Sequence, residues 1–217
     1  KHFPDGLANR SDQVGRNLMF HPFTGVSGVF DTPMEGHKGP MACSILSQEF
    51  YESDPSRGFV RGYGLHSGRS TTPMTFALGG YGNDAPIPWG AAHRAMMDEV
   101  YPYLASLTVV TEDLPEAHNR VTLDDTMTDS DGIPAPKISY ALGENTRAML
   151  KHGQDRATEL LMAAGAKRVI AKDPNDVLWR AGWHQMGTCR MGDDPNTSVV
   201  NGRGRSHDVR NLFIVDG

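Results

Sequence analysis

The chain has 217 residues, enough for one large domain or two small ones, and a formal net charge of −5 with no basic block, which argues against nucleic acid as the main partner. A mean hydropathy of −0.44, and no apolar run long enough to span a bilayer, argue against a membrane-embedded protein. Cys43 and Cys189 are the only cysteines, too few for a disulfide framework that a chain of this size does not need, so both are expected as thiols.

In chain order, "KHFPDGLANRSDQVGRNLMFHPF" reads as a turn-rich lead-in, with no secretory leader in its polar opening. "TGVSGVFD", "MACSILSQEFY" and "RGFVRGYGLH" read as strands, the last two separated by the breaker "ESDPSRG". "TPMTFALGGYGNDAPIP" reads as a further strand followed by a loop. From Trp89, apolar residues at Ala92, Met96, Val100, Tyr103 and Leu104 mark a helix that Pro102 should kink or end. "SLTVVTEDL" is β-rich. "NRVTLDDTMTDSDGIPAPKISYAL" is the best hairpin: Val121 and Leu123 alternate with polar residues, as do Ile138, Tyr140 and Leu142. A second helix is predicted from about Asn145 to Ala164. Its inner face would carry Met149, Leu150, Gly153, Ala157, Leu160, Leu161 and Ala164, with Asn145 or Thr146 as the N-cap and Gly165 past the C-terminus. The continuous apolar run Leu212 to Val215 suits a strand buried on both faces, as in a parallel sheet, yet no βαβ unit precedes it.

The densest chemistry lies in "GWHQMGTCRMG", residues 182 to 192. As a zinc site it is poor, because one His and one Cys have no second pair at ligand spacing, and His207 is isolated. As a cysteine nucleophile it is weak, because nearness of Cys189 to His184 in sequence does not place a base within reach in space. A packed histidine in a tight glycine loop is the plain structural reading of His184. Against it, Trp183 offers an apolar wall, and Gly187 and Gly192 let backbone approach a ligand closely. A histidine beside an aromatic can be held neutral near pH 7, as a general base requires.

"WHQMGTCRMG" followed by "NLFIVDG" resembles the C-terminal signature of the glucose–methanol–choline (GMC) oxidoreductases, flavoenzymes that use FAD. "QVGRNLMFHP" resembles the segment in which that family leaves its FAD domain for the substrate domain, and "NRVTLDDTMTDSDGIPAPKISY" resembles its late substrate-domain hairpin. The resemblance implies that His184 is the catalytic base that removes the substrate hydroxyl proton while hydride passes from the alcohol carbon to the flavin. It implies that Asp216, in the VDG segment, meets the cofactor, and that Asn17 lies near the flavin. A turn-stabilising role for Asn17 is the alternative. Pro22 forces an extended backbone on His21, for which a structural role is expected. Cys189 and Arg190 read as loop architecture.

Two departures accompany the resemblance. No G-x-G-x-x-G opens a βαβ unit, and the family's second active-site residue, a His or Asn, lies beyond the VDG segment. The expectation is therefore the C-terminal portion of such an enzyme. The fold expected is α+β: a mixed-sheet substrate-binding domain with helices packed on one face, plus edge segments of an FAD-binding α/β domain. Residues 1–22 would be an FAD-domain edge, 23–181 the substrate-binding domain, and 182–217 the active-site loop and the strand returning to the FAD-binding domain. The implied partners are a small alcohol, sugar or polyol and the missing FAD-binding portion. The chain alone is expected to be inactive and to hold no FAD. Two other readings are a stand-alone carbohydrate-binding module, with Trp89, Tyr63 and Tyr81 stacking on sugars, and a cysteine hydrolase using Cys189.

Overall fold

A computed structural model describes residues 3, 5–38, 43–68, 72–80, 86–171 and 184–215. The chain divides into two units. The first comprises Lys1–His21, Asp113–Gly143 and Gly182–Gly217; the second comprises Pro22–Glu112 and Glu144–Ala181. The fold is α+β. Among the described residues no helix is long and apolar enough to cross a membrane.

The second unit is built on five strands: β1 (Phe23–Val29), β2 (Cys43–Ser47), β3 (Tyr63–Gly68), β4 (Leu104–Thr111) and β7 (Arg168–Ala171). They lie in the order β2-β3-β4-β1-β7, and every ladder is antiparallel, where a mixed sheet was expected. Val26 pairs with Leu107 and Thr24 with Val109, so these side chains share one face. The long helix α3 (Glu144–Ala163) packs on that face. Val26, Tyr63, Leu65, Leu107 and Val109 form one core with Met149, Ala157 and Leu161 of the helix.

Residues of the opposite parity, Val29 and its partner Leu104, join a second cluster with Phe76, Met96, Val100 and Tyr101. These come from α1 (Pro73–Gly79), α2 (Ala91–Glu99) and the 3-10 turn Tyr101–Tyr103. The expectation of helices on a single face is thereby corrected, because strand alternation sends apolar side chains both ways. Where a strand was expected, α1 forms. Thr72 caps it by accepting from the Thr75 N–H at 3.1 Å, and Pro73 occupies the first turn, where its missing donor costs nothing. Pro102 ends the α2 stripe as expected, through the 3-10 turn.

α3 also differs in detail. It starts at Glu144, and the Asn145 side chain does not cap it but bonds both backbone groups of Val60, accepting at 2.9 Å and donating at 3.1 Å. Leu160 and Ala164, placed on the inner face from sequence, are exposed. Both lie at the C-terminal end of α3, and Ala164 already falls past its last residue, Ala163.

Gly153 sits mid-helix against the sheet. A Cβ there would overlap Val109 Cγ1 and come within 3.2 Å of Tyr63 Cε2. Beside it, the Tyr63 hydroxyl bonds His152 Nδ1 at 2.8 Å, with Phe50 stacked on Tyr63 and Phe59 edge-on to His152. Burial, then the Arg156 and Arg57 guanidiniums, hold His152 below the ordinary histidine range.

In the first unit, β5 (Arg120–Thr128) and β6 (Pro134–Ser139) form the expected hairpin, with Val121 opposite Ile138 and Leu123 opposite Pro136. Asp124 braces a bulge by accepting from the Thr126 and Met127 N–H groups, both at 2.9 Å, and these bonds hold its carboxyl down to about 2. The run Leu212–Val215 does not form a buried strand. Its ties include the Arg205–Phe213 bridge and the Ile214 N–H to Gly204 O at 2.8 Å, and Val215 is 87% exposed. Among the described residues no strand flanks its other side.

Two outcomes follow for stability. Gly153→Ala gains about 1 kcal/mol of helix propensity, but overpacking against Val109 costs about 1–3 kcal/mol, so a lower urea midpoint is expected. For His152, the unfolded chain takes up a proton that the folded chain refuses. Stability is thus full above the ordinary histidine value of about 6.5 and falls as pH drops below it toward the folded value. Urea midpoints measured across that window should lose this slope in His152→Gln.

Candidate active site

The segment 15–21 is the middle of three strand-like runs in the first unit. On one side, Met19 and Met186 exchange both backbone bonds, at 2.9 and 3.2 Å, and the Gly15 N–H donates to Thr188 O at 2.8 Å. On the other side, Gly15 O accepts from the Val121 N–H at 2.8 Å and Asn119 O accepts from the Leu18 N–H at 2.9 Å. Leu18 and Phe20 are buried, and Phe20 stands edge-on to Tyr140 at 4.7 Å. The Tyr140 hydroxyl donates to Asp113 Oδ2 at 2.6 Å; burial and then that bond push its ionisation far up, so the hydroxyl stays protonated.

The register at Met19 and Met186 fixes what comes next. Two residues on in one run and two back in the other bring His21 opposite His184 on the same face. Their rings meet edge to face, with centroids 5.1 Å apart and planes at 87°. His184 is exposed and has φ 56, in the left-handed region that is uncommon for a residue with a Cβ.

Gly187 follows three residues on in the same loop. It has φ 96, and a Cβ on it would overlap the Asn17 carbonyl oxygen. Asn17 is itself left-handed, at φ 61, and 6% exposed, and its side-chain amide donates to Gln13 Oε1 at 3.3 Å. Asp216 and Trp183 lie outside the described residues. Cys189 is half-buried. It lines a hollow of about 670 Å³ with Gly15, Arg16, Val121 and Thr188, and neither His184 nor His21 reaches that hollow. Past the loop, Ser198 is buried and its hydroxyl bonds Asp194 O at 2.6 Å, with His207 Nε2 at 3.0 Å. This pair pins the 192–207 turn rather than presenting a nucleophile. Among the described residues no group of three His, Cys, Asp or Glu side chains is arranged to hold a metal.

Of the aromatics considered for sugar stacking, Tyr63 is fully buried, Trp89 is exposed, and Tyr81 lies outside the described residues. The residue that sequence reasoning undervalued is His21. The alternations of "NLMFH" and "WHQMG" held the register, but nothing in either stretch announced that the two would pair.

A flavin dinucleotide needs a glycine turn that presents backbone N–H groups at a helix N-terminus to its pyrophosphate. α1 opens on Thr72, α2 on Gly90 and α3 at Glu144, none of them from such a turn. The described residues therefore do not fit as the dinucleotide's anchor, and what they supply is an exposed imidazole.

Residues 115–217 match the C-terminal domain of the GMC oxidoreductase family. The chain's homologues are oxidoreductases that align along its whole length. It is 40% identical over 218 residues to 2-methyl-1,2-propanediol dehydrogenase of Mycolicibacterium austroafricanum, covering 100% of this chain and 39% of that protein. It is 30% identical over 221 residues to paromamine 6'-oxidase of Streptomyces fradiae, covering 99% of this chain and 36% of that protein. It is also 30% identical over 223 residues to the fructose dehydrogenase large subunit of Gluconobacter japonicus, covering 99% and 38%. The chain thus spans well under half the length of these relatives.

The glycine constraint makes a sharp expectation. Gly187→Ala combines an unfavourable left-handed residue with overlap against backbone, costing on the order of 2–4 kcal/mol. Denaturation midpoints should fall, and hydrogen exchange should show the Met19 and Met186 amides losing protection while α3 keeps its own.

Proposed function

We propose that the whole protein oxidises the CH–OH group of a small alcohol, polyol or sugar, with His184 as the base that takes the hydroxyl proton. The observation that carries this is the exposed imidazole of His184, a left-handed residue in a loop that pairs at Met19–Met186 and closes on Asn17 at Gly187. Conformational cost of this kind persists where surrounding structure over-determines it, and it concentrates at working sites. 2-Methyl-1,2-propanediol and fructose, named in two of the relatives, are both polyhydroxy compounds, which supports an alcohol as substrate.

The chemistry asked of this chain is modest. An alkoxide-like oxygen releases hydride far more readily than a neutral hydroxyl, and an imidazole within hydrogen-bond reach accepts the proton at one ring nitrogen. FAD, held by the remainder of the polypeptide, would supply the hydride acceptor. Asn17 and Asp216 are the positions we assign to the cofactor's side of the site. The cysteine-hydrolase reading is not favoured, because Cys189 lines a hollow that His184 does not. The binding-module reading is not favoured either, because Tyr63 is buried in the core.

In the full-length protein, His184→Asn should keep flavin content while slowing anaerobic bleaching of the flavin by alcohol on the order of a hundredfold, the usual weight of a positioned base. Reoxidation of chemically reduced flavin should change little. Bleaching at the wild-type rate at saturating substrate would return His184 to a packing role.

A further inference from the structure

We infer that His21 is a positioning residue for His184, a role that rests on the reading of His184 as the base. The ring of His21 stands edge to face with that of His184, centroids 5.1 Å apart and planes at 87°. The contact is built by the backbone. Met19 and Met186 exchange two hydrogen bonds, so His21 and His184 are the next same-face pair along the two runs.

Each partner is restrained from its own side. His21 precedes Pro22, whose ring confines the residue before it to extended backbone. His184 is left-handed at φ 56 and exposed, so its own backbone and the solvent around it do little to fix its ring torsion. A ring set perpendicular to the imidazole removes much of that freedom, because ring pairs prefer edge-to-face and offset arrangements to a face-to-face sandwich.

The consequence for the proposed reaction is geometric. A base acts only when its accepting nitrogen stays in line with the hydroxyl hydrogen, and misplacement by about 1 Å can cost on the order of a hundredfold. His21 itself takes no proton in this scheme. What it supplies is a perpendicular aromatic ring, so another flat ring should replace it. Its effect should fall on the maximal rate rather than on substrate affinity.

The test uses the full-length flavoprotein with histidines labelled at ¹³Cε1. His21→Ala should lower the maximal rate of anaerobic flavin reduction about tenfold or more while KM changes less than about threefold, in keeping with the cost of misplacement. His21→Phe, which keeps an aromatic ring, should stay within about threefold of wild type. Independently of activity, the His184 ¹³Cε1–¹H signal should shift in His21→Ala as the ring current is lost, and shift much less in His21→Phe.

A His21→Ala protein with the wild-type rate and an unmoved His184 signal overturns the proposal. So does a His21→Phe protein as slow as His21→Ala, which would assign His21 chemistry of its own. His184→Asn with full activity would instead sink the reading of His184 as base, and the His184 signal in the His21 variants would still report whether the contact exists.

Discussion

The carbonyl oxygen of Asn17 occupies the space that a side chain at position 187 would need. Only a residue without a Cβ lets the two backbones approach that closely, and this approach lets Met19 and Met186 close their pair of bonds. The orientation of His184 follows from the register. A one-residue slip would turn His184 to the other side of the layer and dissolve its contact with His21. A backbone requirement, two residues of alternation and one left-handed φ therefore precede any chemistry at the imidazole.

The second unit solves close approach differently. There the tight contact is between a helix and the side chains of a sheet, with Gly153 of α3 set against Val109 and Tyr63. Helix formation disfavours glycine, so its presence marks a place where inter-element distance outweighs local preference. The aromatic group of Phe50, Phe59, Tyr63 and His152 completes the contact, with the Tyr63 hydroxyl satisfied by an imidazole whose pKa burial lowers.

Much of this fold was legible from periodicity. The hairpin of β5 and β6 alternated clearly enough to be read, and α3 carried a sustained helical stripe. α1 was misread although its Thr72–Pro73 start was present, because the short run M-T-F-A-L is compatible with either period. β7 has four residues, too few to show alternation at all. Leu212–Val215 has the composition of an interior strand, but its environment is not set by composition. In the site, His184 stood out by its company of glycines and an aromatic. His21 did not, because what makes it matter is a pairing between runs more than 160 residues apart, invisible to any local pattern.

Asn119 carries a further consequence. Its side chain behaves as a spare peptide group, accepting from the Ala141 N–H at 2.8 Å and donating to Ala141 O at 3.1 Å, while its own carbonyl receives Leu18. Asparagine ages chemically when the next backbone nitrogen attacks the side-chain amide carbon and expels ammonia. That attack needs the side chain to swing toward its own backbone. Here both ends of the amide are held on Ala141, and the next residue, Arg120, is fixed in the β5 ladder opposite Ser139. The folded protein thus shields this asparagine from slow chemical decay. The same bonds would expose any damage that did occur, because an aspartate would set a charged oxygen against the Ala141 carbonyl.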